Sequence, residues 1–170
     1  MMRIISLCFL MCFGVAGCAN SGGLEKAPRE IEIVQLYASS ICSGQAQSSG
    51  VILIEEPQAY ALLEQSLAGR FLNDAGRRLP VVDFNQDIVL VLTMGQQISS
   101  GYTLELSHEP IHFRGDTLLL SVLWREPASE MMTAQILTSP CLVLQLGRGL
   151  YRKIKVIDQD GHVRGLVGEL

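Results

Sequence analysis

Apolar positions along this chain fall into alternating runs, continuous runs and one helical stripe, and these differences lay out its elements. Ile31, Ile33 and Gln35 alternate with Glu32, Val34 and Leu36, which predicts a short strand with weak preference for either face. A polar stretch from Ser39 to Gly50 follows, and then the β-branched run Val51-Ile52-Leu53-Ile54 predicts a buried strand. Glu55-Glu56-Pro57 opens a helix. Proline fits a first turn because its missing N–H has no partner there, and the acids complement the positive end of the dipole. Tyr60, Leu63, Leu67 and Phe71 recur at three- and four-residue steps and mark its core face, while Asn73, Gly76 and Pro80 mark its end and exit. From Pro80 onward the period changes to that of strands. Ile88 to Leu92 is continuously apolar and suits a central strand. Tyr102, Leu104 and Leu106 form one core face, and Leu118, Leu120, Val122 and Trp124 form the next after an Arg114-Gly115-Asp116 turn. Leu142, Leu144 and Leu146, then Ile154 and Val156, repeat the pattern. Gly147-Arg148-Gly149 and Asp158-Gln159-Asp160-Gly161 supply turns, and His162-Val163-Arg164 adds a short edge strand.

The expected fold is therefore mainly β (α+β): one mostly antiparallel β-sandwich or barrel-like domain with a single N-terminal helix. Residues 30–79 supply its strand and helix part, 80–158 its β region, and 159–170 a terminal hairpin or tail.

The N-terminus follows a different rule. Met1-Met2-Arg3 is a charged start, Ile4 to Val15 is apolar apart from Ser6 and Gly14, and small residues then lead into Cys18. This layout predicts a signal peptide over 1–17, too short to span a bilayer. Val15-Ala16-Gly17-Cys18 resembles the lipobox of bacterial lipoproteins. The resemblance implies cleavage after Gly17 and acylation of Cys18. Two or three acyl chains, at ~0.8 kcal/mol per buried CH₂, hold a protein at a membrane where one chain is reversible. Residues 18–29 are small, polar and unpatterned, and read as a flexible tether. Ala19-Asn20 follow the cysteine without an adjacent Asp, which by the same resemblance implies the periplasmic face of the outer membrane.

Removing residues 1–17 from the 170 leaves 153, a single-domain length that buries a real core. The leader carries one basic residue, Arg3, so the net charge of −4 becomes −5. That balance argues against nucleic acid as a partner and against a polybasic membrane contact. No second apolar run is long enough to cross a bilayer. Cys8 and Cys12 leave with the leader, Cys18 takes the lipid, and Cys42 and Cys141 remain. In an oxidising compartment they either pair, closing a loop of about 100 residues, or stay as two buried thiols; spacing does not choose between these.

Catalytic chemistry has little footing. His108 and His112 stand four apart, but Pro110 lies between them and no cysteine or carboxylate pattern completes a ligand set. Asp158-Gln159-Asp160-Gly161 opens like a calcium loop and lacks the later ligands, so it reads as a hairpin turn. Nucleophile elbow, phosphate-loop and dinucleotide fingerprints are missing. The expectation is a non-enzyme without metal or cofactor.

Val82-Asp83-Phe84 before the Ile88–Leu92 strand, Gly95, Ser99-Ser100-Gly101-Tyr102 and Arg125-Glu126-Pro127 follow one another in order. They are continued by Gln135 to Cys141, Leu142 to Leu146 and Tyr151-Arg152-Lys153. This series resembles the C-terminal domain of the protease-complex subunit PrcB family, with Ser99-Ser100-Gly101-Tyr102 standing where that family has Thr-Gly-Gly-Tyr. The resemblance implies an accessory, non-catalytic envelope lipoprotein that binds and stabilises a protein partner, a secreted protease. Residue by residue, Gly101 ends a tight turn, Tyr102 anchors a core strand, and Ser99 and Ser100 lie on an exposed, candidate binding turn. The same turn is similar to the Thr-Thr-Gly-Tyr loop of chagasin-type protease inhibitors, whose later Arg-Pro-aromatic signature has only a distant echo in Trp124-Arg125-Glu126-Pro127. An inhibitor is the alternative, and a structural envelope lipoprotein the third reading. Replacing Cys18 with Ser is expected to release the protein from membranes or leave it unprocessed. Acyl labelling that persists in this variant would contradict the lipidation reading.

Overall fold

The computed structural model describes residues 31–42, 48–68 and 78–168. The signal peptide, Cys18 and the tether lie outside them, as do Phe71, Asn73 and Gly76 at the expected helix end. Nine strands and one helix form among the described residues. In chain order they are β1 (Ile33–Ser39), β2 (Gly50–Ile54), α1 (Pro57–Ala68), β3 (Asp87–Thr93) and β4 (Thr103–Leu106). The remainder are β5 (His112–Arg114), β6 (Thr117–Arg125), β7 (Cys141–Gly147), β8 (Lys153–Ile157) and β9 (Val163–Val167).

The first sheet has the order β1-β7-β3-β2, all antiparallel. The second has the order β4-β6-β8-β9, with β5 also paired to β6. The alternating strands behave as their period requires: Leu118, Leu120, Val122 and Trp124 of β6, and Ile154 and Val156 of β8, are buried. They meet Ile88, Leu90 and Leu92 of β3 and Leu142, Leu144 and Leu146 of β7 in one apolar core between the sheets. The other face of the first sheet is also covered. Val89, Val91, Cys141 and Val143 pack with Tyr60, Leu63 and Leu67 of α1 in a second core. β7 therefore has two core faces, where the alternation of Leu142, Leu144 and Leu146 marks only one. Tyr60 Oη donates to Pro80 O at 2.8 Å and Leu79 N–H donates to Glu64 Oε1 at 3.1 Å, so the returning chain is held against the helix.

Within the mostly antiparallel arrangement expected, β6 and β8 run parallel. Parallel neighbours need a crossover, and here β7, lying in the other sheet, is part of it. Among the described residues the sheets do not close into a barrel. β9 instead approaches β2 so closely that a Cβ on Gly165 would overlap the Val51 side chain. The segment expected as a terminal hairpin or tail carries β9, which pairs antiparallel with β8. Cys42 and Cys141 form a disulfide across a Cα separation of 6.0 Å.

Gly165→Val is expected to destabilise the domain by about 1–3 kcal/mol, because extra methyl groups in a filled contact force neighbours apart. Gly50→Ala, where nothing lies within 4 Å of the new Cβ, should stay within about 0.5 kcal/mol. Urea unfolding of the two variants makes the comparison.

Candidate functional site

Past β3 and ahead of β7 the chain forms two loops that pair with each other. Met94 N–H donates to Pro140 O at 2.9 Å. Gln97 and Thr138 exchange backbone hydrogen bonds of 2.8 and 2.9 Å, and Ser100 N–H donates to Ala134 O at 3.0 Å. Side chains add to the pairing: Thr138 Oγ1 donates to Ser99 O at 2.9 Å, and Ala134 N–H donates to Ser100 Oγ at 3.0 Å. Gly101 takes φ +98°, and a Cβ there would stand 3.0 Å from Pro127 Cβ, so the turn needs glycine on two counts. Cys42 N–H donates to Ser139 O at 2.9 Å beside the disulfide, which ties the second loop to the segment after β1.

This arrangement corrects the exposed turn expected at Ser99 and Ser100. Ser99 is only 8% exposed, and Ser100 is half-buried with its hydroxyl bound to the facing loop. Gly101 is exposed, and Tyr102 is half-buried against the core between the sheets. Ser99 and Ser100 are staples between two loops, and the outward-facing groups are different ones. Ile98 is 75% exposed, Leu137 61% and Met132 100%, with Ile136 and Met131 also exposed. Ile98 lies next to Gln97 and Leu137 next to Thr138, so the paired segments carry both residues side by side. Five large apolar residues on one pair of loops form a rim that sequence alternation did not mark, since neither loop is a strand. The available signal was Met131-Met132 and Ile136-Leu137 standing in a turn-rich segment between Pro127 and Pro140.

A polar node closes the same end of the second sheet. Asp158 is 3% exposed. Its Oδ1 accepts from the N–H groups of Asp160 at 2.9 Å and His162 at 2.8 Å, and its Oδ2 accepts from Arg164 Nε at 2.8 Å and Nη2 at 2.7 Å. The Arg164 guanidinium also lies 4.5 Å over the Trp124 ring. Gln159 gives its amide to the Trp124 backbone, accepting from N–H at 2.8 Å and donating to O at 3.0 Å. Asp158, Asp160 and His162 have ligand atoms within 4.8 Å of one another. The Asp158 carboxylate, however, already has all its lone-pair sites directed at the turn and Arg164. His108 lines a shallow cleft with Ile33, Leu106 and Ile111, whereas His112 stands on β5, exposed. No ligand set forms around this pair among the described residues.

Residues 88–146 match the family model described as PrcB C-terminal. The stretch from β3 to the end of β7, with both paired loops, is a PrcB-like domain region. No curated protein and no solved structure matches the chain.

Thr138→Val is expected to cost about 0.5–1.5 kcal/mol through the lost bond to Ser99, whereas Ile98→Ser and Met132→Ser should stay within about 0.5 kcal/mol. Chemical denaturation of the three variants tests this ordering. Asp158 gives a second test, by pH. Burial pushes its carboxyl up, but the His162 N–H, the Arg164 guanidinium and the Asp160 N–H outweigh burial and hold it below the usual range. Its stabilising contribution is therefore complete above the ordinary Asp value of about 3.9 and lost as pH falls through the lower folded value. Asp158→Asn should lower the melting temperature at neutral pH and flatten its decline below about pH 4. A variant that declines with acid as steeply as the wild type would contradict this role.

Proposed function

We propose that this protein is a non-catalytic accessory subunit of an extracytoplasmic protease complex, held at the periplasmic face of the outer membrane by lipid on Cys18. A PrcB-like domain fits a protease-complex-associated subunit at family level. The observation that carries the reading is the apolar rim of Ile98, Met132, Ile136 and Leu137, presented by the two loops inside the matched stretch. Exposed apolar clusters of this kind mark contact surfaces, because a lone domain gains nothing by leaving them in water. The frame beneath is a two-sheet sandwich whose loop pair is stapled by Ser99, Ser100 and Thr138, so the rim is preorganised before it meets a partner.

The test is co-purification of the full lipidated chain with secreted proteases of its own cell envelope, read as protease recovered and as protease half-life. Wild type should recover and stabilise a protease. Ile98→Asp with Leu137→Asp should weaken that association by about 30-fold or more, the effect of losing an interface centre, while melting like wild type. Loss of the chain that leaves protease abundance and half-life unchanged would overturn the accessory role. Inhibition of papain-like proteases by the purified protein would move the assignment to an inhibitor.

A further inference from the structure

Cations without an ion pair among the described residues gather where the described chain begins. A Cβ on Gly149 would stand 2.9 Å from Ile31 Cδ1, so the first described residue lies against the loop 148–152. Gly147 N–H donates to Glu32 O at 3.2 Å at the same place. The loop continues through Arg152 into β8. Arg114 and Lys153 flank Thr117 in one row across the second sheet, and Lys155 stands beside Leu119 in the next. Ile154, Val156 and Leu118 point into the core, so Lys153, Lys155 and Arg114 project from the opposite, outer face. Neither apolar core includes that face.

The ion pairs among the described residues are Arg148–Glu55, His162–Asp158 and Arg164–Asp158. Arg114, Arg152, Lys153 and Lys155 belong to none of them. Among the described residues Asp116 and Glu109 are the acids on this side of the end, whereas Glu32, Asp83 and Asp87 sit with the first sheet, Asp87 near enough to the loop to act on Tyr151. Among the cations are two leucines in water: Leu150, 94% exposed between Arg148 and Arg152, and Leu166, directly across from Lys155. Tyr151 fixes the loop from beneath, with its buried hydroxyl donating to Gly147 O at 2.8 Å.

We propose that this corner of the second sheet docks on an anionic lipid surface, with Leu150 entering the headgroup layer and Arg114, Arg152, Lys153 and Lys155 facing lipid phosphates. The inference rests on the lipid-anchor part of the proposed function and adds an orientation to it. Only 12 residues separate Cys18 from Ile31, so an anchored domain keeps this end, rather than the loop rim, near the bilayer. Each cation close to an anionic surface strengthens partitioning about fivefold. Such a contact is too weak to hold a protein alone and strong enough to orient one already tethered. Counted along the chain, these residues look dispersed in an acidic protein; the register of β5, β6 and β8 brings them together.

The test uses the full lipidated chain in phosphatidylcholine vesicles and in mixed phosphatidylcholine–phosphatidylglycerol vesicles. A fluorophore is placed on Leu150→Cys or Met132→Cys and read against headgroup-spin-labelled lipid. Quenching is expected at position 150 in the anionic vesicles, falling severalfold in phosphatidylcholine, at high salt and in R114E/K153E/K155E, with none at position 132. Unchanged quenching in the charge-reversed variant, equal quenching at both positions, or none at 150 overturns the docking. Leu150→Asp, labelled at Lys155→Cys, is the second variant and should also lose quenching. Flotation separates the two readings. Flotation with both vesicle types but without quenching at 150 in the anionic ones keeps the anchor and removes the docking, while salt-sensitive flotation on anionic vesicles alone keeps the docking and removes the anchor. A charge-reversed variant that stays quenched but loses its protease assigns the face to a protein and overturns the proposal.

Discussion

Burial of both faces of β7 is the constraint on which the remaining arrangement depends. Cys141, Leu142, Val143, Leu144 and Leu146 are fully buried, and β7 is hydrogen-bonded to β1 on one side and β3 on the other. An antiparallel sheet commonly leaves one face to water. Here the helix covers that face, so the first sheet becomes a middle layer between α1 and the second sheet. A strand in this position has no tolerance for slippage, since a one-residue shift would exchange two complete core faces. Its first residue is also the disulfide partner of Cys42, and Pro140 and Ser139 immediately before it hold Met94 and Cys42. The loop pair thus inherits its position from a strand buried on both faces.

The elements that depend on short-range pattern were legible. α1 begins at Pro57 as the proline and the Tyr60, Leu63, Leu67 stripe require, and β3, β6 and β8 fall where apolar residues run or alternate. What depended on partners was not. Nothing in Thr117–Arg125 or Lys153–Ile157 records that the two strands run parallel, because alternation is the same in either direction. Ser99 and Ser100 read as an exposed turn because small hydroxyl residues before a glycine favour one. Ser99 is buried and Ser100 half-buried by a segment more than thirty positions later, through Thr138 and Ala134, whose polar groups carry no local signature. Cys42 and Cys141 posed the same problem, being 99 residues apart. The apolar rim escaped notice for the reverse reason: Ile136 and Leu137 look like core residues until the fold leaves them outside.

Gln159 shows how a turn residue finishes a sheet. β8 stops at Ile157, opposite Ser121, while β6 continues to Arg125. The backbone of Trp124 would face that gap with a donor and an acceptor unpaired, a costly state for a nearly buried residue. The Gln159 side-chain amide presents one acceptor and one donor at peptide-like spacing and replaces the missing strand. Arg164 then covers the Trp124 ring and neutralises Asp158, which in turn fixes the backbone of the hairpin. Each group is satisfied only while the others are present, so the node is cooperative.

The matched stretch 88–146 cannot be the whole physical unit. It supplies β3 to β7, but the outer face of β3 and β7 is covered by Tyr60, Leu63 and Leu67, which precede it. The core between the sheets needs Ile154 and Val156, and Trp124 needs Gln159 and Arg164, all of which follow it. Cut at its own limits, the stretch would expose Val89, Val91 and Val143 on one side and leave β6 without β8 on the other. Any family relationship carried by the loops therefore rests on flanks that share a duty of coverage rather than a motif. Apolar cover admits many sequences so long as volume and pattern are kept, whereas the paired loops need glycine at position 101 and a hydroxyl at position 138. That difference in physical tolerance accounts for a recognisable signature confined to the middle of the chain.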